Sequence, residues 1–177
     1  MSTVTPVKAD ETLWAALKQG GKVVLMRHAQ VDRSKGNGTR HTPDDCSKEF
    51  NLSPAGRAQA KKVGELFRKH GIAIGDVLAS PYCRTMDTAK LAFGKAKASE
   101  ALRLIEALPP AQAEQITAQA MKLIGEYRGK GNLVLVTHEP NIIALAFETV
   151  ETGGMFVLIP KGADQFDVLG RLTVHRD

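Results

Sequence analysis

The sequence predicts an α/β fold, a three-layer sandwich with a mostly parallel central sheet and helices on both faces. Three observations carry this. Short apolar runs recur at wide spacing, at Val23 to Met26, Val77 to Ala79 and Leu133 to Val136. Segments with helical spacing separate them, and glycine or proline marks most junctions. Apolar runs without polar alternation are strands buried on both faces, as in a parallel sheet between helical layers.

The elements follow in order. Asp10 to Gln19 places Leu13, Trp14 and Leu17 on one side of a short amphipathic helix, which Gly20-Gly21 ends. Val23 to Met26 is the first strand and stops abruptly on Arg27-His28-Ala29. Gln30 to Phe50 is a long polar passage with Gly36, Gly38, Pro43 and Asp44-Asp45; loops of such length inside compact domains are usually functional. Ser53-Pro54 supplies an N-cap and a first-turn proline, and Ala60, Val63, Leu66 and Phe67 continue at helical spacing, so a helix is expected from Pro54 to about His70.

Asp76 to Ala79 is a second buried strand, broken by Ser80-Pro81, and a helix should run from Cys83 to about Phe93, with Gly94 as its stop. Ala101 to Ile105 is expected as a third short strand and Ala111 to Tyr127 as a helix. Asn132 to Val136 is the strongest buried strand after the first, and it too leads into a histidine, His138. Pro140 opens a helix through Phe147, and Met155 to Ile159 with Gln165 to Val174 read as a hairpin turning on Pro160 to Ala163.

At 177 residues the chain fits one domain, 1–177, large enough to bury roughly two-thirds of its unfolded surface. A formal charge of +5 suits either nucleic acid or an anionic phosphate substrate. The basic residues are scattered and aromatics make up only 5%, so no nucleic-acid partner is expected. No window approaches the ~18 apolar residues of a membrane span, and no membrane partner is expected. Lys8, Asp10, Glu11 and Lys18 interrupt any signal-peptide core, which makes the chain cytoplasmic as written. Cys46 and Cys83 do not form a metal-ligand cluster; counting alone leaves free thiols and a disulfide both open.

Carboxyl ends of parallel strands share one edge of a sheet, so Arg27-His28, Arg84 at the start of a helix, and His138 should converge. Two arginines and two histidines at such an edge describe a phosphate site. Guanidinium forks contact phosphoryl oxygens bidentately, and the N-terminus of the Cys83 helix is expected to add backbone N–H donors. A neutral imidazole there can attack phosphorus, and flanking arginines favour the neutral form.

The motifs resemble a known family. Leu25-Met26-Arg27-His28-Ala29 is similar to the L-x-R-H-G/A signature of the histidine phosphatase superfamily, known also through its phosphoglycerate-mutase members. Asn51 to Ala60 resembles its N-L-[ST]-x-x-G-x-x-Q-A helix start, and Ser80 to Ala89 its S-P-x-x-R-x-x-x-T-A segment. Val134 to His138 resembles the strand that delivers the second histidine, so the resemblance covers a core of about residues 21–160. It implies a phosphoglycerate mutase-like fold and a phosphoric monoester hydrolase of the histidine acid phosphatase type. His28 would be the phosphorylated nucleophile, with Arg27, Arg84 and His138 completing the phosphate pocket and no cofactor or metal.

Departures from the family pattern leave other assignments open. Alanine stands after the nucleophile, as in the small bacterial branch that includes phosphohistidine phosphatases of the SixA type. Ser34 stands where an asparagine contact is usual, so Ser34 or Asn37 is the candidate replacement. Glu106 lies about where many relatives place the leaving-group acid; Glu139 is its rival. The D-D-C-x-x-x-x-N-L pattern resembles a subgroup often found in exported bacterial proteins. That resemblance implies a Cys46–Cys83 bridge, and a periplasmic or exported location if a leader was removed.

The expected activity is metal-independent hydrolysis of phosphomonoesters or phosphoramidates, on a phosphorylated small molecule or phosphoprotein. The alternatives are a protein phosphohistidine phosphatase and a catalytically weak phosphate-binding module of the same fold.

Overall fold

The computed structural model of the protein describes residues 6–174, with side chains from Asp10 onward. Helices and strands alternate as α1 (Pro6–Gln19), β1 (Val23–Arg27), α2 (Pro54–Lys69), β2 (Ile74–Ala79), α3 (Cys83–Phe93), β3 (Lys97–Ala98), α4 (Pro110–Gly125), β4 (Asn132–Thr137), α5 (Glu139–Ala146), β5 (Met155–Gly162) and β6 (Gln165–Leu172). The strands form one sheet in the order β3-β2-β4-β1-β5-β6. The run from β3 to β1 is parallel throughout, while β5 pairs antiparallel with both β1 and β6. The predicted sandwich, mostly parallel and covered on both faces, is the observed fold.

Strand alternation divides the core into two layers. Val24 and Met26 of β1, with Val134 and Val136 of β4, face Leu13 and Leu17 of α1, Val63 and Phe67 of α2 and Ala89 of α3. Val23 and Leu25, with Leu133 and Leu135, face Ala120 and Ile124 of α4 and Ile142 and Leu145 of α5. Both sets are almost fully buried, so β1 and β4 are continuous apolar runs rather than alternating ones.

The long helices begin and end as the sequence signals indicate. Ser53 Oγ accepts the Gly56 N–H at 3.0 Å with Pro54 in the first turn of α2, and Gly94 closes α3 in the left-handed region at φ 77°. Gly64 lets α2 approach α3 closely, because a Cβ there would collide with the carbonyl oxygen of Ala92. Among the described residues, no helix is long and apolar enough to cross a membrane.

Two expectations are corrected. Ala101 to Ile105 is not a strand: Glu100–Leu102 and Ile105–Ala107 are 3₁₀ turns, and the third strand is the earlier pair Lys97–Ala98. The side chain of Asn141 explains why, taking the Ile105 N–H at 3.3 Å and donating to the Arg103 carbonyl at 2.7 Å, so these backbone groups bond to a side chain rather than to a strand ladder. The Glu100–Arg103 ion pair, 2.6 Å across one turn, adds to this. The hairpin is also tighter than expected. Pro160 to Gly162 continue β5, Gly162 pairs with Gln165, and Ala163-Asp164 alone make the connection, with positive φ at Gly162 (96°) and Ala163 (50°).

Candidate active site

β1 and β4 are adjacent, parallel and in register, with Arg27 opposite Thr137. His28 and His138 therefore leave the carboxyl edge side by side, their ring centroids 5.7 Å apart. On the other flank of β4, Ala79 of β2 stands opposite Val136, which brings Ser80 beside His138 and starts α3 with Arg84 at its second residue. Arg27, His28, Arg84 and His138 line one cleft of about 410 Å³.

The orientation of His28 follows from one hydrogen bond. Its Nδ1 lies 2.8 Å from the Ala29 carbonyl oxygen, which can only accept, so Nδ1 carries the proton and Nε2 the lone pair. Burial holds the imidazole pKa down, against the pull of that carbonyl, and the Arg84, Arg27 and Arg33 guanidiniums add to the depression, which reaches about 3. His138 is held well below the usual range by burial, Arg84 and His28, while its Nε2 pairs with Ser80 Oγ at 2.8 Å.

Each arginine is anchored by part of its fork. Arg27 Nη1 donates to Glu139 Oε2 and to the Val150 carbonyl, each at 2.9 Å. Arg84 Nη2 donates to the Gly38 carbonyl at 2.7 Å, and its guanidinium lies 4.9 Å from the Tyr82 ring centroid. Among the described residues, Arg27 Nε, Arg84 Nη1 and His138 Nδ1 are buried with no hydrogen-bond partner. Buried polar atoms are seldom left so, and three of them share the cleft with His28.

The remaining motif residues hold this edge together. Thr88 Oγ1 accepts the Ala29 N–H at 3.0 Å and donates to the Arg84 carbonyl at 2.7 Å, locking the end of β1 to α3. Gln59 Oε1 accepts the Gln30 N–H at 3.2 Å and its Nε2 donates to the Thr152 carbonyl at 2.8 Å, joining the segments that flank His28. Gly56 admits the Gln30 carbonyl, where any Cβ would clash.

The 30–50 segment is moored to the start of α3 at several points. Cys46 and Cys83 form a disulfide across a Cα separation of 5.9 Å. Tyr82 Oη donates to the Thr39 carbonyl at 2.7 Å, and the His41 ring lies 5.0 Å from the Tyr82 ring. Glu49, only 1% exposed, accepts the Cys83 N–H at 2.9 Å and faces His41 Nδ1 at 3.0 Å. The carboxylate thus caps α3, whose own N-cap Tyr82 makes no side-chain cap bond.

Of the N–H donors expected at the N-terminus of α3, the one on Cys83 is therefore occupied by Glu49. Among the described residues, Cys46, Glu49 and Cys83 are the group compact enough to ligate a cation, within 4.8 Å. Its sulfurs are bonded to each other, which makes it a clamp. Replacing Glu49 by Ala is expected to cost about 1–2 kcal/mol of stability in denaturant unfolding without reductant. Glu49→Gln, which keeps one accepting oxygen, should fall between.

Not every predicted residue reaches the cleft. Ser34 and Asn37 lie outside its lining: Ser34 Oγ donates to Asp32 Oδ1 at 2.6 Å, and Asn37 Oδ1 accepts from Thr39 Oγ1 at 2.9 Å. Glu106 and Glu139 both line it. Glu139 Oε2 serves Arg27 and also accepts from Thr149 Oγ1 at 2.7 Å, whereas the exposed Glu106 side chain has no hydrogen bond or ion pair among the described residues. Sequence reasoning missed Arg33, Phe50 and Glu49. For the first two, the length of the polar loop was the available signal. A buried carboxylate in that loop carries none.

Comparison with known proteins agrees with these features. Residues 23–108 match the family profile of the histidine phosphatase superfamily (branch 1). Three of the four sequence motifs lie in that span, and the likeness read from them is borne out. No curated protein sequence matches the chain.

The fold is similar to that of the protein histidine phosphatase SixA, solved with tungstate, at 14% identity and a TM-score of 0.62 over 86% of this chain and 96% of that one. An open-reading-frame product of Mycobacterium tuberculosis is similar at 22% identity and 0.59, over 84% and 96% of the two chains. A phosphoserine phosphatase of Entamoeba histolytica, in complex with 3-phosphoglyceric acid, is similar at 16% identity and 0.60, over 86% and 97%.

Proposed function

We propose that this chain, on the fold it shares with histidine phosphatases, hydrolyses phosphomonoesters or phosphoramidates in two steps through a phosphohistidine on His28, without a metal. The observation that carries the reading is the set of three unpartnered buried polar atoms, Arg27 Nε, Arg84 Nη1 and His138 Nδ1, in the cleft of a histidine kept neutral. A phosphoryl group supplies acceptor oxygens for all three, once Ser80 Oγ donates to His138 Nε2 and leaves the proton on Nδ1.

In the first step the Nε2 lone pair of His28 attacks phosphorus, and the bond to the leaving oxygen or nitrogen breaks. The Ala29 carbonyl, facing Nδ1–H, steadies the positive charge that the ring gains. The leaving group takes a proton from the rim, where Glu106 makes no hydrogen bond or ion pair among the described residues and Glu139 is engaged by Arg27 and Thr149. In the second step water attacks the phosphohistidine and gives its proton to the same carboxylate. The P–N bond breaks, releasing phosphate and restoring neutral His28.

A phosphohistidine side chain on a protein is the second substrate class, favoured by the match to nearly the whole SixA chain. Steady-state hydrolysis of p-nitrophenyl phosphate tests the reaction. Release should be unchanged by a chelator, and quenched turnover should leave an alkali-stable, acid-labile phosphoryl label on the protein. Loss with chelator, or an acid-stable label, contradicts the scheme. Absence of turnover favours the phosphate-binding module.

A further inference from the structure

The 30–50 segment is tied to α3 by a group that the phosphate chemistry does not use. Cys46, Glu49 and Cys83 stand outside the cleft lining, with two sulfurs and a carboxylate oxygen within 4.8 Å of one another. Glu49 has no exposed side-chain surface, and its Oε2 lies 3.1 Å from Cys83 Sγ and 3.0 Å from His41 Nδ1. Oε1 alone caps the Cys83 N–H at 2.9 Å, so capping does not account for the approach of Oε2 to the sulfur.

The convergence has supports besides the bond between the sulfurs. Cys46 opens a 3₁₀ turn three residues before Glu49, and Asn51 Nδ2 and the Glu49 N–H both donate to the Cys46 carbonyl, at 2.8 and 3.1 Å. Tyr82 and Arg84, on either side of Cys83, hold the Thr39 and Gly38 carbonyls. After reduction both cysteines therefore stay beside Glu49. Cys46 is exposed, so a reductant can reach the bridge.

We propose that reduction of the Cys46–Cys83 bridge turns this clamp into a site for one divalent cation of the Zn2+ type, held by both thiolates and the Glu49 carboxylate. A dithiol reductant supplies two electrons and two protons and leaves as its own disulfide, while the Cys46–Cys83 bond breaks to two thiols. The cation then displaces both thiol protons to water as two metal–sulfur bonds form. On a tetrahedral ion with Zn–S bonds of about 2.3 Å, two sulfurs stand about 3.8 Å apart, a span that side-chain rotation provides across a Cα separation of 5.9 Å.

Two thiolates with one carboxylate suit zinc-like ions rather than calcium or magnesium, which take oxygen donors. His41 Nδ1 steadies the ligating oxygen as an outer partner. A divalent ion also offsets the charge of anionic donors gathered at a buried carboxylate, which free thiolates there would leave unbalanced. The tie between the 30–50 segment and α3 thus has an oxidised form and a metal-bound form.

The test reduces the full chain with dithiothreitol, desalts it without oxygen and adds Zn2+. The reduced chain is expected to retain about one equivalent through gel filtration and the non-reduced chain none, and the ion should raise the thermal midpoint of the reduced chain by roughly 5 °C. Co2+ in its place should give thiolate-to-cobalt absorption that vanishes in Cys46→Ser. Glu49→Gln, which keeps an accepting oxygen for the Cys83 N–H, should weaken Zn2+ binding at least about tenfold.

Circular dichroism with and without Zn2+ covers a reduced chain that loses structure, because the ion should then restore the ordered signal. Three outcomes overturn the site: uptake that is equal in the non-reduced chain or in the Cys46→Ser/Cys83→Ser double variant, undiminished affinity in folded Glu49→Gln, or a reduced chain that unfolds and stays unfolded with Zn2+. Phosphate release is not a readout here, so the result stands apart from the phosphatase reading.

Discussion

Replacing His28 by Ala is expected to abolish phosphate release, with a fall in kcat of at least about a thousandfold. Among the described residues, His138 is the one other imidazole that lines the cleft, and its Nε2 is committed to Ser80 Oγ, so it is not free to take over the covalent role proposed for His28. The space left by the ring opens into the cleft at the end of β1, outside the apolar layers that hold Leu25 and Met26, so folding should survive. Three measurements check this together: steady-state rates, the phosphoryl label, which should vanish, and the far-ultraviolet circular dichroism, which should not change. Retention of more than a tenth of wild-type turnover would remove His28 from the nucleophile's role.

The second large effect concerns acid. His28 titrates near 3 in the folded chain, from burial first and the three arginines after, against about 6.5 when unfolded. Between those values the unfolded chain binds a proton that the native state refuses, so stability falls as pH drops. The loss from His28 alone should be roughly 2 kcal/mol between about pH 6.5 and pH 4.5, and above about pH 7.5 His28 contributes no pH dependence. His138 shifts in the same direction and adds to the slope.

Denaturant unfolding across this range should show the trend, and His28→Asn should flatten it. An equal slope in wild type and variant would mean that the imidazole is not held neutral.

Much of the sheet is written locally. Val23 to Met26 and Leu133 to Val136 are apolar on both faces because helices cover both, and that burial leaves a signature in consecutive residues. The four central cleft residues were readable for a related reason: each ends a strand or begins a helix where polar residues abruptly replace apolar ones. The missing parts depend on tertiary context. Lys97–Ala98 pairs with β2 as a two-residue strand with no apolar pattern of its own. Ala101 to Ile105 has strand-like composition, yet Asn141, distant in sequence, takes its backbone groups. Glu49 resembles any surface carboxylate until the loop folds back onto the first N–H of α3.

The in-register pairing of Arg27 with Thr137 has a consequence for how such a protein can diverge. The distance between the two imidazoles is inherited from the strand spacing of the sheet, roughly 4.8 Å, and not from any loop. Substitutions and insertions between Gln30 and Phe50 can therefore alter the walls of the cleft while the spacing of the two imidazoles stays constant. Grafting that segment from a relative with different selectivity should transfer preference among phosphorylated molecules more readily than it alters the chemistry.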